Sequence, residues 1–473
     1  MKRAVALLAV LLLTLGLAAC GGGDEGGGGT EGTATPSGAT PSGGTPSGKT
    51  VKINFWHAMN AANQEALKRL TDRFNASQSE VQVELQFQGT YEDNVTKLLA
   101  SRASGDVPAL IQLHDVTTQL LVDSDMLTPV QDFIDRENYD LSDFNPRVVE
   151  YYTVDGKLQG MPFNISNPIL FYNKVHFREV GLDPEKPPQT LAELKEYCQK
   201  LTIRNESGTP TRRCIALAID PWYIEQLLAV GGALYVNNGN GRDGRATEAV
   251  FNGPRGKEIF QWWGDLMKSG DAQNVGRNPT GDAHFLAVGT GQASMTFGTS
   301  AALRSIVDVL EAPGSIQLAD VELGTAPLPG FADATGGNLV GGAALWILNQ
   351  RPEEEQEAAW KYVKYLVEPE QQAEWYSGTG YFPMRVSAYD LPAAKEVEAK
   401  YPHFRVAVDQ FLKAPSNRAT QGALLGNFVD VRVIVQRAAE EMILRSKDPG
   451  QTLDNAAKEV TEAIQDYNRR IGD

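Results

Sequence analysis

Histidine, cysteine and carboxylate side chains are the groups that could carry chemistry in this 473-residue chain, and their spacing assembles no catalytic or metal motif. The five histidines, His57, His114, His176, His284 and His403, are scattered, whereas a hydrolytic metal site needs clustered His and Asp ligands. His114 and Asp115 form the one adjacent pair, which reads as strand-end packing plus a ligand contact. No G-x-S-x-G nucleophile elbow occurs. Acidic residues are abundant, so a glycosidase carboxylate pair stays open on sequence grounds. A secreted phosphodiesterase or glycosidase is therefore the rival class, and turnover of a bound compound would separate the two. Cys198 and Cys214 are too widely spaced for a redox or zinc motif and have no histidine close by. An oxidising compartment permits a disulfide between them, closing a polar loop that contains Arg204, Asn205, Pro210, Arg212 and Arg213. Two separately buried thiols are the alternative.

The element around which the chain is organised is PFNISNPILFYNK, Pro162 to Lys174. It is polar at its entrance (Asn164, Ser166, Asn167) and apolar at its exit (Ile169, Leu170, Phe171). Pro168 fixes its own φ and biases Asn167 toward extended backbone. The stretch reads as a backbone crossing between two lobes with Ser166 facing the gap, and lobe interfaces are preferred places for small-molecule sites. Before it, strands are expected at 51–57, 81–87 and 109–113, and helices at 61–78, 92–104 and 117–127. Leu67, Leu70 and Phe74 keep helical spacing, while Val81, Val83, Leu85 and Phe87 alternate. Such alternation implies a mainly parallel, doubly wound sheet whose ligands gather at strand carboxyl ends, here near Trp56, Tyr91 and Asp115. After the crossing, Thr190 and Glu193 form a T-x-x-E capping box for a helix to about residue 201. Further strands are expected at 214–219 and 341–348, the latter led by glycines that let backbone approach something closely. Helices are expected at 222–230, 254–269, 301–311, 353–367, 369–377, 404–413, 428–446 and 452–470.

The length exceeds what one hydrophobic core supports, so at least two lobes are expected. Hydrophobic content of 42% and charged content of 22% are ordinary globular values. A net charge of −16 argues against a nucleic-acid partner, which needs a basic face. Residues 1–20 read as an export signal, with Lys2 and Arg3 ahead of an apolar run too short to span a membrane. The signal ends Leu17-Ala18-Ala19-Cys20 and resembles the lipobox of bacterial lipoproteins, in which the cysteine is lipidated. Residues 21–49 are rich in Gly, Ser, Thr and Pro and read as a flexible tether spanning roughly 30 Å. The expectation is a soluble body outside the cytoplasm, anchored to the membrane through Cys20.

Seven motifs lie in order along the body: FWHAM (55–59), GTYEDN (89–94), PFNISNPILFYNK (162–174), VGRN (275–278), GGAALWIL (341–348), EW…TGYFP (374–383) and LGNFVDVRVIV (425–435). Together they resemble the glycerol-3-phosphate-binding branch of the extracellular solute-binding proteins of bacterial ABC importers, a family that also contains maltose-binding proteins. The resemblance covers residues 51–470. It implies an α/β, two-lobed periplasmic-binding-protein-like fold of type II, each lobe a mainly parallel sheet flanked by helices, joined by hinge crossings. Lobe 1 is expected to hold 51–164 and about 303–348; lobe 2, about 165–302 and 349–473. It implies a monomeric binding protein rather than an enzyme, without metal or organic cofactor, that delivers a ligand to the transmembrane subunits of an ABC permease. It assigns ligand contacts to Tyr91, to Asp115 on the glycerol hydroxyls, to Ser166, to Thr299, to Gly341 or Gly342, to Tyr381 and to Arg432.

The chemistry fits that set. A phosphate wants arginine in bidentate geometry together with hydroxyl and backbone donors. Arg432 lies near the start of a helix that Asn427 is expected to cap, where the dipole favours an anion. Plainer roles are available for each residue: an ion-paired arginine, half-buried core tyrosines, a helix cap for Asp115, turn residues at Ser166 and Thr299. The chain departs from the branch at Asp220 and Tyr223, which stand where its glycerol-3-phosphate-specific members carry a tryptophan and a second aromatic. A carboxylate there repels a phosphate dianion and attracts a cationic head group, to which Trp222 or Tyr223 adds cation–π contact. The expected ligand is a glycerophosphodiester, glycerophosphocholine first, or sn-glycerol-3-phosphate. The nearer rival is a disaccharide- or oligosaccharide-binding protein of the same fold, which stacks sugars on aromatics and needs no arginine at 432.

Overall fold

The computed structural model describes residues 49–277, 282–312 and 318–472. The signal, most of the tether and the lipidation of Cys20 fall outside the described residues.

The chain begins with an alternating strand, Val51–His57, that buries Ile53, Phe55 and His57 on one face. Val81–Phe87 and Leu110–His114 flank it in parallel. Leu110–His114 is buried along its whole length, as a central strand covered on both faces must be. Gly341–Leu348 then pairs antiparallel with Leu110–His114 on one side, and with Leu127–Thr128 and Met161–Ser166 on the other. The second sheet is built the same way. Pro210–Ile219 lies between Ala272–Arg277 and Ala293–Thr299, both parallel to it. Pro168–Asn173 and Leu323–Pro327 extend that sheet antiparallel. The parallel arrangement expected from sequence thus holds for three strands per sheet. Gly341–Leu348 in the first sheet and Pro168–Asn173 in the second run against it, each being the strand that enters its sheet from the other lobe.

The expected crossing is the shortest of these passages. Met161–Ser166 belongs to the first sheet and Pro168–Asn173 to the second, with Asn167 alone between them. Asn167 is fully buried. Its Nδ2 donates to the Leu339 carbonyl at 2.6 Å, and its own carbonyl accepts from the Ser300 amide at 2.9 Å. One asparagine therefore ties three crossing segments into a single hinge region.

The lobe boundaries differ from those expected. The helices Glu353–Leu366, Pro369–Thr379, Pro392–Lys400 and His403–Lys413 join the first core through Trp360, Tyr362, Trp375, Phe404 and Phe411. Tyr362 packs against Phe55 and Phe74, with ring centroids 6.0 and 4.9 Å away. Only Phe428–Arg445 and Pro449–Ile471 complete the second core, through Val431, Val435, Leu453 and Val460. Leu323–Pro327, expected in lobe 1, belongs to the second sheet. Amphipathic helices state that they need an apolar partner but not which sheet supplies it.

Local signals worked where a side chain closes its own element. Thr90 and Asp93 form a reciprocal capping box, so the helix starts at Tyr91 and runs Tyr91–Ser101. Thr190 accepts from the Glu193 amide, while the Glu193 carboxylate turns to the Gln189 amide, leaving half of that expected box. Cys198, on the helix Leu191–Leu201, is bonded to Cys214 on Pro210–Ile219 across 16 residues.

Candidate functional site

The first-lobe wall of the cleft is a chain of amides and phenols. The Ala58 amide donates to Gln112 Oε1 at 3.1 Å, and Gln112 Nε2 donates to Asn164 Oδ1 at 2.7 Å. Asn164 Nδ2 in turn donates to the Tyr91 hydroxyl at 2.9 Å. The carboxyl ends of two parallel strands, the crossing strand and the GTYEDN turn are held together by these contacts. Tyr91 stacks on His114 with centroids 5.3 Å apart and planes 8° from parallel. Tyr381 stacks on Trp375 at 5.7 Å, and its hydroxyl interacts with Tyr91 and Asn164. Burial raises the pKa of both phenols, so both remain neutral donors. Burial also pushes His114 down to about 4, leaving a neutral ring whose two nitrogens have no hydrogen-bond partner among the described residues.

The second group is charged and draws on both lobes. Arg432 sits in the helix Phe428–Arg445, between the buried Val431 and Val435. Its Nε and Nη2 donate to the two carboxylate oxygens of Glu225 at 2.8 and 2.7 Å. Glu225 is 4% exposed and Arg432 16%. Asp115 accepts a hydrogen bond from the Tyr151 hydroxyl at 2.9 Å. Burial raises Asp115 to about 6, against the pull of Arg432. Burial also raises Asp220 to about 6, opposed by its bond from the Trp222 amide and by Arg432. Asp220 is the N-cap of the helix Pro221–Val230, accepting from that amide at 2.9 Å. The guanidinium is overbalanced by three nearby carboxylates, which together hold it charged although burial opposes the charge. Asn427 occupies the N-cap position before Arg432 but makes no side-chain capping bond, contrary to expectation.

The third group lies on the crossings. Ser166 pairs with Gly341, and Thr299 with Pro168. Thr299 Oγ1 accepts from the Ala301 amide, the plainer turn role considered above. Gly342 has φ +103°, and a Cβ there would lie 1.8 Å from the Asn164 carbonyl oxygen. A Cβ on Gly341 would lie 2.7 Å from Trp222 Cζ2 and 2.8 Å from the Ser166 carbonyl. What the glycines admit so closely is thus the crossing strand and the Trp222 indole, which reaches the first sheet from the second lobe. Tyr223 does not join this group: its hydroxyl donates to the Phe297 carbonyl at 3.0 Å and its ring is part of the second core. Of the two aromatics proposed for a head group, Trp222 is the one at the lobe boundary.

Sequence reading missed Glu225, Asn164 and Tyr151. Glu225 had a signal, a carboxylate inside the largely apolar helix PWYIEQLLAV. Tyr151 had none, since its partner is 36 residues away. Among the described residues no three His, Cys, Asp or Glu side chains converge to hold a metal ion. No helix among them is long and apolar enough to cross a membrane.

A family model described as bacterial extracellular solute-binding protein matches residues 69–405. The sn-glycerol-3-phosphate-binding periplasmic protein UgpB of Escherichia coli K12 is 31% identical over 426 residues, covering 88% of this chain and 93% of that protein. The chain belongs to the bacterial extracellular solute-binding proteins. This family consists of proteins that bind solutes for transport rather than enzymes. The Salmonella typhimurium LT2 UgpB is similar to this solute-binding protein to the same degree, 31% over 426 residues with the same coverage. Among solved structures, UgpB of Mycobacterium tuberculosis in complex with glycerophosphocholine superposes with a TM-score of 0.73 at 22% identity, over 89% of this chain and 100% of that one. The cyclic α-maltosyl-1,6-maltose binding protein of Arthrobacter globiformis gives 0.70 at 24% identity, over 88% and 100%. These two likenesses show the fold: two α/β lobes of the type II periplasmic-binding class.

Proposed function

We propose that this solute-binding protein is the lipid-anchored, extracytoplasmic substrate receptor of an ABC importer. Its solute is a glycerophosphodiester, glycerophosphocholine first, with sn-glycerol-3-phosphate next. The observation that carries the reading is the disposition of Arg432. Glu225 takes the Nε and Nη2 edge, and Nη1 has no hydrogen-bond partner among the described residues. The end-on edge of the guanidinium is therefore free to grip a phosphoryl group bidentately. Asp115 offers an acceptor for adjacent glycerol hydroxyls. Tyr91, Ser166, Thr299 and Tyr381 add hydroxyls, and the glycine at 341 or 342 adds backbone. Asp220 and Trp222 suit a cationic head group. Further support comes from the relatives named for sn-glycerol-3-phosphate binding and from the fold neighbour with glycerophosphocholine.

Binding proceeds by lobe closure about the crossings knitted by Asn167, stabilised by ligand contacts that only the closed form makes. The closed monomer, tethered through lipidated Cys20, then meets the permease. A thermal-shift panel tests the ligand class. Glycerophosphocholine, glycerophosphoethanolamine and sn-glycerol-3-phosphate are run beside maltose and trehalose, since a ligand that binds only the folded form raises Tm by mass action. A rise with glycerophosphocholine and none with the disaccharides is expected. The reverse pattern would move the protein to the sugar-binding branch of the same fold.

A further inference from the structure

The ion pair of Arg432 does more than bury an arginine. Taking the phosphoryl reading above as its basis, we infer that Glu225 is a specificity-determining residue that restricts the solute to a singly charged phosphodiester and turns away the doubly charged phosphomonoester.

The inference rests on geometry and on a charge count. Glu225 engages Arg432 through two parallel hydrogen bonds, 2.8 and 2.7 Å long, on the side-on edge of the guanidinium. That arrangement fixes the plane and direction of the fork, so the remaining edge is preorganised for an incoming phosphoryl group. The same contact cancels the arginine's charge before any ligand arrives. Two further carboxylates, Asp115 and Asp220, interact with the same guanidinium. Glu92 adds to the negative surroundings of Asp220. His114, the other basic side chain here, is neutral near physiological pH. The cleft is thus negative around a hydrogen-bond donor, not positive around an anion site. A phosphodiester carries one negative charge and takes up the free donors without demanding a second cation. A phosphomonoester loses a second proton near pH 6, and above that pH its added charge faces Asp115 and Asp220, the two carboxylates left once Glu225 has neutralised the arginine. A cationic substituent on the diester turns the same carboxylates from repulsive to attractive partners, which is how the cleft would favour a zwitterionic ligand.

Glu225 touches Arg432 rather than the ligand, so its effect must be read as selectivity rather than simple loss. The full chain is titrated calorimetrically at about pH 8, where the monoester is fully dianionic. Three probes are used: glycerophosphocholine, sn-glycerol-3-phosphate, and the methyl phosphodiester of glycerol, which has one negative charge and no cation. The wild-type protein is expected to bind the methyl diester more tightly than sn-glycerol-3-phosphate, which separates phosphoryl charge from head-group attraction. In Glu225→Gln the ratio of diester to monoester affinity is expected to fall by about tenfold or more, because a like charge near the phosphoryl group is removed. Glu225→Asp, which keeps the charge, is expected to retain the preference. Circular dichroism checks the fold of both variants. Equal weakening of all three probes in Glu225→Gln would reduce Glu225 to a structural partner and overturn the inference. A wild-type preference for the monoester over the methyl diester would overturn it as well, while leaving the phosphoryl reading intact. Failure of the wild type to bind any of the three would remove the phosphoryl reading and this inference with it.

Discussion

Removing Arg432 alone should cost far more than a ligand contact, because it strands Glu225. The pair is bidentate, with side chains 16% and 4% exposed, so the small contribution of surface ion pairs does not apply. Taking away one partner of a buried pair costs about 3–5 kcal/mol, since the other charge is left without compensation. Replacing both partners by apolar groups of similar volume is often neutral or stabilising. A double-mutant cycle therefore makes a sharp prediction. Arg432→Leu and Glu225→Leu are each expected to lose about 3–5 kcal/mol. The double variant is expected to lie close to the wild type, giving a coupling of about 6 kcal/mol or more. This falls within the reported stability range of single domains, about 5–15 kcal/mol, so the single variants should remain folded at low temperature. Urea unfolding followed by circular dichroism is the assay, with the two lobes fitted separately if they unfold in two steps. Additive losses, or single losses under about 1 kcal/mol, would refute the idea that Arg432 and Glu225 form one buried unit. The double variant also isolates function: a folded protein that no longer responds to glycerophosphocholine places the guanidinium at the ligand.

Two further outcomes follow from the same structure. Burial raises Asp115 from its ordinary value to about 6, so between about pH 4 and 6 the folded form holds a proton that the unfolded form releases. Stability should therefore fall as pH rises through that window, by at most about 3 kcal/mol. Asp220, raised to about 6 by the same cause, adds a dependence of the same sign, so Asp115→Asn should remove only the share of Asp115, as read from urea midpoints across pH. Reduction of Cys198–Cys214, or the double alanine variant, should cost about 3 kcal/mol for a loop of this length and lower Tm in a thermal scan.

The residues themselves indicated a crossing between lobes within Pro162–Lys174, which the structure narrows to Asn167. Pro168 and the change from polar to apolar character act over a few residues, and local chemistry is visible in local sequence. Capping at Thr190 and the alternation of Val81 and Val83 were legible for the same reason. The seven ordered motifs carried the family and the list of candidate ligand contacts. Tertiary structure alone decided what those contacts touch. Arg432 meets Glu225 across 207 positions, Tyr151 meets Asp115, and Trp222 lies where Gly341 has no side chain. It alone also assigned 353–413 to the first core, and it moved Tyr223 out of the cleft while putting Trp222 at its edge. The physical reason is common to all of these. Hydrophobic periodicity and capping are properties of one segment, but a buried charge, an orphan face or a missing Cβ acquires meaning only from the partner that folding brings to it.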